Sequence, residues 1–270
     1  MRKGASSRRR SELEAAHLAG DPRALDRGGP EPHGDVVLSF QACGVDDDVL
    51  RSGGGIEITE TEETIAFVPA GRESAPGLLF LPGGMVEPHA YAPLLRRVAE
   101  AGHPAILVKL PSLGGRHAFG EEGRNEAAGR ARRALERAPG TAPWLVAGHS
   151  LGGAIAARVA RNPPPRMGGL ALLATTHPRD FTLADYDGPV AKIYATRDGV
   201  APLAKMKANA ANLPPSTRWI AIEGGNHSQF GYYGFQLLDG RATISREAQQ
   251  TQVLHAVVAM LRATRPPGER

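Results

Sequence analysis

Cysteine is almost absent from this 270-residue chain, which has Cys43 alone. A single cysteine excludes an internal disulfide framework and a cysteine-rich metal site. No apolar run approaches the ~18 residues that a membrane span requires. The basic start is not followed by the apolar region of a signal peptide. We therefore expect a cytoplasmic protein without a membrane partner, a bound metal or an organic cofactor.

An excess of positive charge is also absent from most of the chain, although the formal net charge is +4. Residues 1–10 carry five of the basic side chains and no acid, which leaves the remainder near −1. The body therefore has no basic surplus to attract nucleic acid. Residues 1–34 have little apolar periodicity and are expected to form a disordered basic tail. Residues 35–265 are expected to form one domain.

Apolar runs typical of buried strands alternate with helical patterns from Gly77 onward, after a predicted antiparallel hairpin at 56–59 and 64–68. This alternation predicts an α/β fold with a mostly parallel, doubly wound sheet. The predicted strands are Gly77–Leu81, Ala105–Leu110, Trp144–Gly148, Gly169–Ala174, Val190–Ala195 and Thr217–Ile222. The predicted helices are His89–Ala101, Asn125–Arg137, Leu151–Arg161, Leu203–Asn212 and Arg246–Leu261, the last capped by Ser245.

The stretch Gly148-His149-Ser150-Leu151-Gly152 joins a predicted strand to a predicted helix. Strand, G-x-S-x-G and helix in this order are the context of a nucleophile elbow. The two glycines relieve clashes in so tight a turn, and Ser150 is then exposed at the carboxyl end of the strand. The alternative is an ordinary strand–turn–helix with a capping serine. The flanking elements favour a nucleophilic Ser150.

A serine hydroxyl needs a base, and the base needs a group that orients it. Sites on such sheets cluster where strands end, so both partners should follow strands. His227 follows the strand Thr217–Ile222, after two glycines, and is the predicted base. Asp198 follows the strand Val190–Ala195 and is the predicted acid. The competing acids lie in the preceding loop and are Asp180, Asp185 and Asp187.

An oxyanion hole needs two backbone N–H groups aimed at the developing charge. Leu151 directly follows the nucleophile at a helix N-terminus and is one predicted donor. The loop Leu81-Pro82-Gly83-Gly84-Met85 follows the first parallel strand and should supply the other. Gly84 is the first candidate and Met85 the alternative.

From Gly77 to Leu261 the chain resembles the α/β-hydrolase superfamily, especially its dienelactone-hydrolase-like, carboxylesterase-type members. The matching motifs are Leu81-Pro82-Gly83-Gly84, Gly148-His149-Ser150-Leu151-Gly152-Gly153, Thr196-Arg197-Asp198-Gly199 and Gly224-Gly225-Asn226-His227, with Asp239-Gly240 in a following segment that resembles uncharacterised hydrolases. The resemblance implies a Ser150–His227–Asp198 triad and ester hydrolysis. Dienelactone hydrolases carry cysteine where this chain has Ser150, so the resemblance does not specify a dienelactone substrate. The His-Gly pair common in the oxyanion loop is replaced by Pro82-Gly83.

The connection Thr175–Gly188 has only 14 residues, too few for a helical cap domain. We therefore expect an open site and esters of small to medium size as substrates. The wall of the substrate site beside His227 is expected to consist of Phe230, Tyr232 and Tyr233. The opposite wall is expected to consist of Phe119 and His117. Ordinary loop packing is the alternative role for all five side chains.

Two other functions use the same fold. An acyltransferase or perhydrolase would pass the acyl group to an acceptor other than water, and a non-catalytic binding protein would use the fold without chemistry.

Overall fold

Eight strands form one mixed sheet in a computed structural model that describes residues 40–72, 74–111 and 117–266. The predicted tail, 1–34, lies outside the described residues. In sheet order the strands are β1 (Ile56–Glu60), β2 (Thr64–Pro69), β4 (Ala105–Val108), β3 (Gly77–Leu81), β5 (Trp144–His149), β6 (Met167–Leu173), β7 (Val190–Ala195) and β8 (Arg218–Ile222).

The sheet is parallel from β4 to β8, and β2 pairs antiparallel with both β1 and β4. Together with the flanking helices this is the predicted doubly wound α/β-hydrolase fold with its antiparallel hairpin. Because β3, β5, β6, β7 and β8 run in one direction, the loops after their carboxyl ends share one edge of the sheet. This edge is called the carboxyl edge below.

Helices cover both faces of the sheet. They are α1 (Ala92–Glu100), α2 (Glu121–Arg137), α3 (Leu151–Arg161), α4 (Leu203–Lys207) and α5 (Arg246–Ala263). Apolar residues of α1 and α5 join the core on one face, and those of α2 and α3 join it on the other. The strands β3 and β5 are buried along their whole length, as expected for strands covered on both faces.

Four helices differ from their predicted bounds, and one of them, α5, only continues two residues further, to Ala263. Helix α2 begins four residues early, at Glu121, where two glutamates in its first turn suit the helix dipole. A 3₁₀ turn, Pro88–Tyr91, precedes α1. The predicted helix 203–212 ends at Lys207, and the Asn209 amide donates to the carbonyl oxygens of Lys205 and Thr176. Such side-chain bonds compete with the helical backbone pattern.

The connection between β6 and β7 contains no helix, and every residue of it is described. No cap domain is inserted at this position, as its length predicts. Ser245 caps α5 as predicted, because its hydroxyl accepts a hydrogen bond from the Ala248 N–H at 3.1 Å.

Candidate active site

Ser150 occupies a strained turn between β5 and α3. Its φ of 54° and ψ of −114° fall where non-glycine residues are rare. The turn closes tightly because Cβ atoms at Gly148 and Gly152 would overlap backbone atoms of Gly152 and Leu81, respectively. The Ser150 N–H donates to the Leu173 carbonyl at 2.9 Å and ties the turn to the end of β6. The strain and these close approaches are the geometry of a nucleophile elbow.

Asp198 and His227 meet at the carboxyl edge although they follow different strands. The distance between His227 Nδ1 and Asp198 Oδ2 is 2.8 Å, and both side chains are almost fully buried. Asp198 Oδ1 accepts from the N–H groups of Val200 and Ala201, at 2.9 and 2.7 Å. The carboxylate is therefore fixed by its own loop and orients the imidazole.

The three competing aspartates lie elsewhere. Asp180, Asp185 and Asp187 are exposed on the connection between β6 and β7, whereas Asp198 is buried against His227. An exposed carboxylate cannot hold a buried imidazole in one orientation. Asp198 therefore remains the candidate for the orienting acid.

The second ring nitrogen of His227 faces no partner. Nε2 is buried and makes no hydrogen bond to a described residue, including Ser150 Oγ. The His227 ring nonetheless lies against the elbow, since its centroid is 4.5 Å from that of His149, the neighbour of Ser150. Bonds between a catalytic base and its nucleophile are often long without substrate and shorten during reaction. The geometry thus leaves Nε2 available for proton transfer.

The backbone N–H groups of Leu151, Gly84 and Met85 lie near the elbow and form no hydrogen bond to another described residue. Gly84 is packed tightly against two side chains, because a Cβ there would be 2.6 Å from the Phe119 ring and 2.7 Å from the Leu151 side chain. Met85 has a φ of 62°, in the left-handed region. Both loop residues therefore remain candidates for the second oxyanion donor.

His149 is fully buried inside the elbow and hydrogen-bonds to Tyr91, with 2.8 Å between Nδ1 and the phenolic oxygen. The same oxygen accepts from the Gly83 N–H at 3.0 Å. Burial, and then the proximity of His227, lowers the pKa of His149 well below its usual value. A neutral His149 beside His227 avoids a second positive charge when His227 takes a proton.

Two of the expected wall aromatics belong to the core instead. Phe230 and Tyr233 have no exposed surface, and Phe230 stacks on His149 with ring centroids 5.2 Å apart. These two side chains therefore have an ordinary packing role, and neither has exposed surface that a substrate could contact. Burial also raises the pKa of the Tyr233 hydroxyl well above its usual range.

The remaining wall candidates are at least partly accessible. Tyr232 is half-buried beneath Arg246, with 5.5 Å from the guanidinium carbon to the ring centroid. His117 and Phe119 are exposed in a 3₁₀ turn, Phe119 by 54% and next to Gly84. These three positions stay predicted contacts with the substrate.

Two buried side chains at the site were not assigned a role from the sequence. The Asp239 carboxylate accepts hydrogen bonds from residues in the loops of both Asp198 and His227. Gln249 on α5 bonds the backbone of Asn226 in both directions, through its amide oxygen to the N–H at 3.0 Å and through its amide nitrogen to the carbonyl at 2.8 Å. The Asp239-Gly240 pair was visible in the sequence as a motif, but its spacing alone defines no contact.

A cavity of about 320 Å³ lies at the opposite edge of the sheet, where β6 and β7 begin. Its walls include Arg161, Met167, Tyr186 and Arg265, but not Ser150, Asp198 or His227. Among residues 40–72, 74–111 and 117–266, no cluster of three or more potential metal ligands is found. No helix in the same ranges is long and apolar enough to cross a membrane.

Comparison with known proteins agrees with this fold. The family model described as the alpha/beta hydrolase family matches residues 77–251, and the chain belongs to that family. No curated protein sequence matches the chain.

Solved structures with the same fold include esterases. Est1E from Butyrivibrio proteoclasticus is 12% identical, with a TM-score of 0.55 over 77% of this chain and 100% of its own. The ferulic acid esterase from Streptomyces cinnamoneus is 20% identical, with a TM-score of 0.60 over 74% of this chain and 71% of its own. A Klebsiella pneumoniae protein described provisionally as a dienelactone hydrolase is 15% identical, with a TM-score of 0.56 over 77% of this chain and 99% of its own. At these identities the likeness shows the fold alone.

Proposed function

We propose that the protein is a serine hydrolase that cleaves carboxylic esters of small to medium size through an acyl-enzyme. The observation that carries the proposal is the buried hydrogen bond from His227 to Asp198 beside the strained Ser150. Membership of the alpha/beta hydrolase family and the likeness to esterases of the same fold support it.

In the first half of the reaction Ser150 Oγ attacks the ester carbonyl carbon while His227 Nε2 takes its proton. Asp198 holds the imidazole in the tautomer that presents Nε2 and stabilises the imidazolium that forms. The N–H groups of Leu151 and of Gly84 or Met85 stabilise the oxyanion, and each such donor contributes about 3 kcal/mol in comparable enzymes. His227 then protonates the leaving alcohol, and the acyl group remains on Ser150.

In the second half His227 removes a proton from water as the water attacks the acyl carbon, and it returns this proton to Ser150 Oγ as the acid leaves. An acyltransferase or perhydrolase would use the same first half and a different acceptor. The ratio of hydrolysis to transfer at fixed acceptor concentration separates these outcomes.

The test compares the wild type with Ser150→Ala on short p-nitrophenyl esters. We expect the variant to lose activity by about a million-fold, as nucleophile deletion does in comparable triads, with its melting temperature nearly unchanged. Ser216→Ala is the matched control, since Ser216 is exposed and precedes β8, whereas His227 follows the other end of that strand. Equal turnover by wild type and Ser150→Ala would overturn the proposal.

A further inference from the structure

The Asp239 carboxylate is buried and accepts five hydrogen bonds. Oδ1 accepts from the N–H groups of His227, Gly199 and Gly240, at 3.1, 3.3 and 2.8 Å. Oδ2 accepts from the N–H and the hydroxyl of Ser228, at 2.8 and 2.5 Å. Apart from Asp198 itself, no acidic side chain within the described ranges is hydrogen-bonded to both the loop of Asp198 and the loop of His227.

Four of the five hydrogen bonds come from His227 and from the residues that follow the proposed acid and the proposed base, and the fifth comes from Gly240. Gly199, directly after Asp198, donates one of these four, His227 itself donates one, and Ser228 donates two. The carboxylate therefore fixes the main chain from which the Asp198 and His227 side chains project. A group that holds both main-chain segments sets the distance between Nδ1 and Oδ2 without contacting substrate.

The segment that carries Asp239 approaches the Asp198 loop closely because each segment has a glycine at the contact. A Cβ at Gly199 would overlap the Leu238 carbonyl, and one at Gly240 would overlap the Arg197 carbonyl. Leu238, just before Asp239, has a φ of 71°. The segment 238–240 is thus held in a strained conformation against 197–199, which is the kind of local cost that functional sites retain.

We propose that Asp239 is a positioning residue that aligns His227 with Asp198, and this inference rests on the proposed hydrolase function. Catalytic groups need to stay within about 0.5 Å of their productive positions. Asp239→Asn replaces one oxygen by an NH₂ group that cannot accept. At least two of the five donors then lose their acceptor, or the loops move apart.

The decisive measurement is the kcat and KM of Asp239→Asn per folded molecule, well below its melting temperature, with active sites counted by a fluorophosphonate burst. We expect kcat to fall at least about 10-fold while KM changes less than about 3-fold, because alignment affects the transition state more than substrate binding. Asp47→Asn, on the exposed 3₁₀ turn Asp47–Leu50, is the matched control. If Asp239 only stabilises the fold, the melting temperature falls while kcat per active site stays at the wild-type value, and that result overturns the proposal.

Ser228→Ala is a milder variant that removes one of the five hydrogen bonds and keeps the carboxylate. We expect its kcat to fall about 3-fold with KM unchanged. This variant decides the matter if Asp239→Asn does not fold, since an unchanged kcat would then overturn the positioning role. The wild type and Ser150→Ala are assayed in parallel: an inactive wild type contradicts the proposed function, whereas an active wild type with unaffected Asp239→Asn contradicts only the role of Asp239.

Discussion

Tyr91 and His149 are 58 residues apart in sequence and share a fully buried hydrogen bond at the base of the elbow. The Tyr91 oxygen also accepts the Gly83 N–H, so one hydroxyl contacts both residues. The pair links the proposed oxyanion loop, through Gly83, to the residue that precedes Ser150. The Tyr91 hydroxyl thus fixes the position of the proposed oxyanion loop relative to the elbow.

Tyr91→Phe tests this link. The substitution keeps the ring and leaves the Gly83 N–H and His149 Nδ1 buried without a partner, which costs about 1–3 kcal/mol for each such group. We expect a lower melting temperature and a kcat reduced about 10-fold or more, since the oxyanion loop loses its anchor. Tyr194→Phe is a matched control, because Tyr194 forms an edge contact with Trp219 at β7 rather than at the elbow. Wild-type kcat in Tyr91→Phe would contradict the link.

Asp198→Asn tests the assignment of the acid. The amide favours the wrong tautomer of His227, and the analogous change lowers kcat about 10⁴-fold in a comparable triad. The fold should persist because the shape of the side chain is retained. Asp185→Asn, on the exposed connection, should leave kcat unchanged. A large loss in Asp185→Asn and none in Asp198→Asn would show that the acid is wrongly assigned.

Lys192 makes stability depend on pH outside the proposed site. Its side chain on β7 is 1% exposed, and its ammonium donates to the His177 carbonyl oxygen. Burial lowers the pKa of Lys192 from 10.5 to about 7. Between these values the unfolded chain binds a proton that the folded protein does not, so stability rises with pH across this window. Below pH 7 the amine is charged in both the folded and the unfolded state, so burying it lowers the stability by the largest amount there.

Lys192→Met removes this cost together with one hydrogen bond. A difference of 3.5 pKa units corresponds to at most about 5 kcal/mol, and the lost bond offsets about 1 kcal/mol. We expect Lys192→Met to be more stable than wild type in urea at pH 6.5, with a smaller gain at pH 9.5. Lys205→Met, at an exposed position of α4, should change neither value much. A destabilised Lys192→Met at pH 6.5 would contradict the reasoning.

The short connection between β6 and β7 leads to a prediction about substrate length. With no cap domain inserted there, we expect acetyl to hexanoyl esters to be cleaved best and long acyl esters poorly. No jump in rate should occur when the substrate forms micelles, because no large lid has to open. Initial rates across an acyl series, above and below the critical micelle concentration, measure both. A steady rise to palmitoyl esters would contradict the expectation.

The sequence alone was sufficient to predict features that depend on residues close together in the chain. The G-x-S-x-G turn, the strands around it and the Ser245 cap each depend on neighbouring residues, and their predicted positions agree with the structure. The order of strands was not predicted, since pairing of β3 with both β4 and β5 joins segments far apart in the chain.

Contacts between loops could not be predicted from the sequence either, because they also join residues far apart in the chain. Phe230, Tyr232 and Tyr233 form one aromatic run, but only the packing of that loop on His149 and Phe40 determines which rings are buried. Asp239 receives its donors from residues up to 40 positions away. No periodicity or local motif in the sequence predicts these hydrogen bonds.

Ser150 as the nucleophile is tested most directly by labelling with a fluorophosphonate and measuring the intact mass. We predict one covalent adduct per chain, mapped to Ser150 by peptide sequencing, with no adduct in Ser150→Ala and slower labelling in Asp198→Asn. Absence of labelling in folded wild-type protein, or equal labelling of Ser150→Ala, would contradict the proposed serine hydrolase.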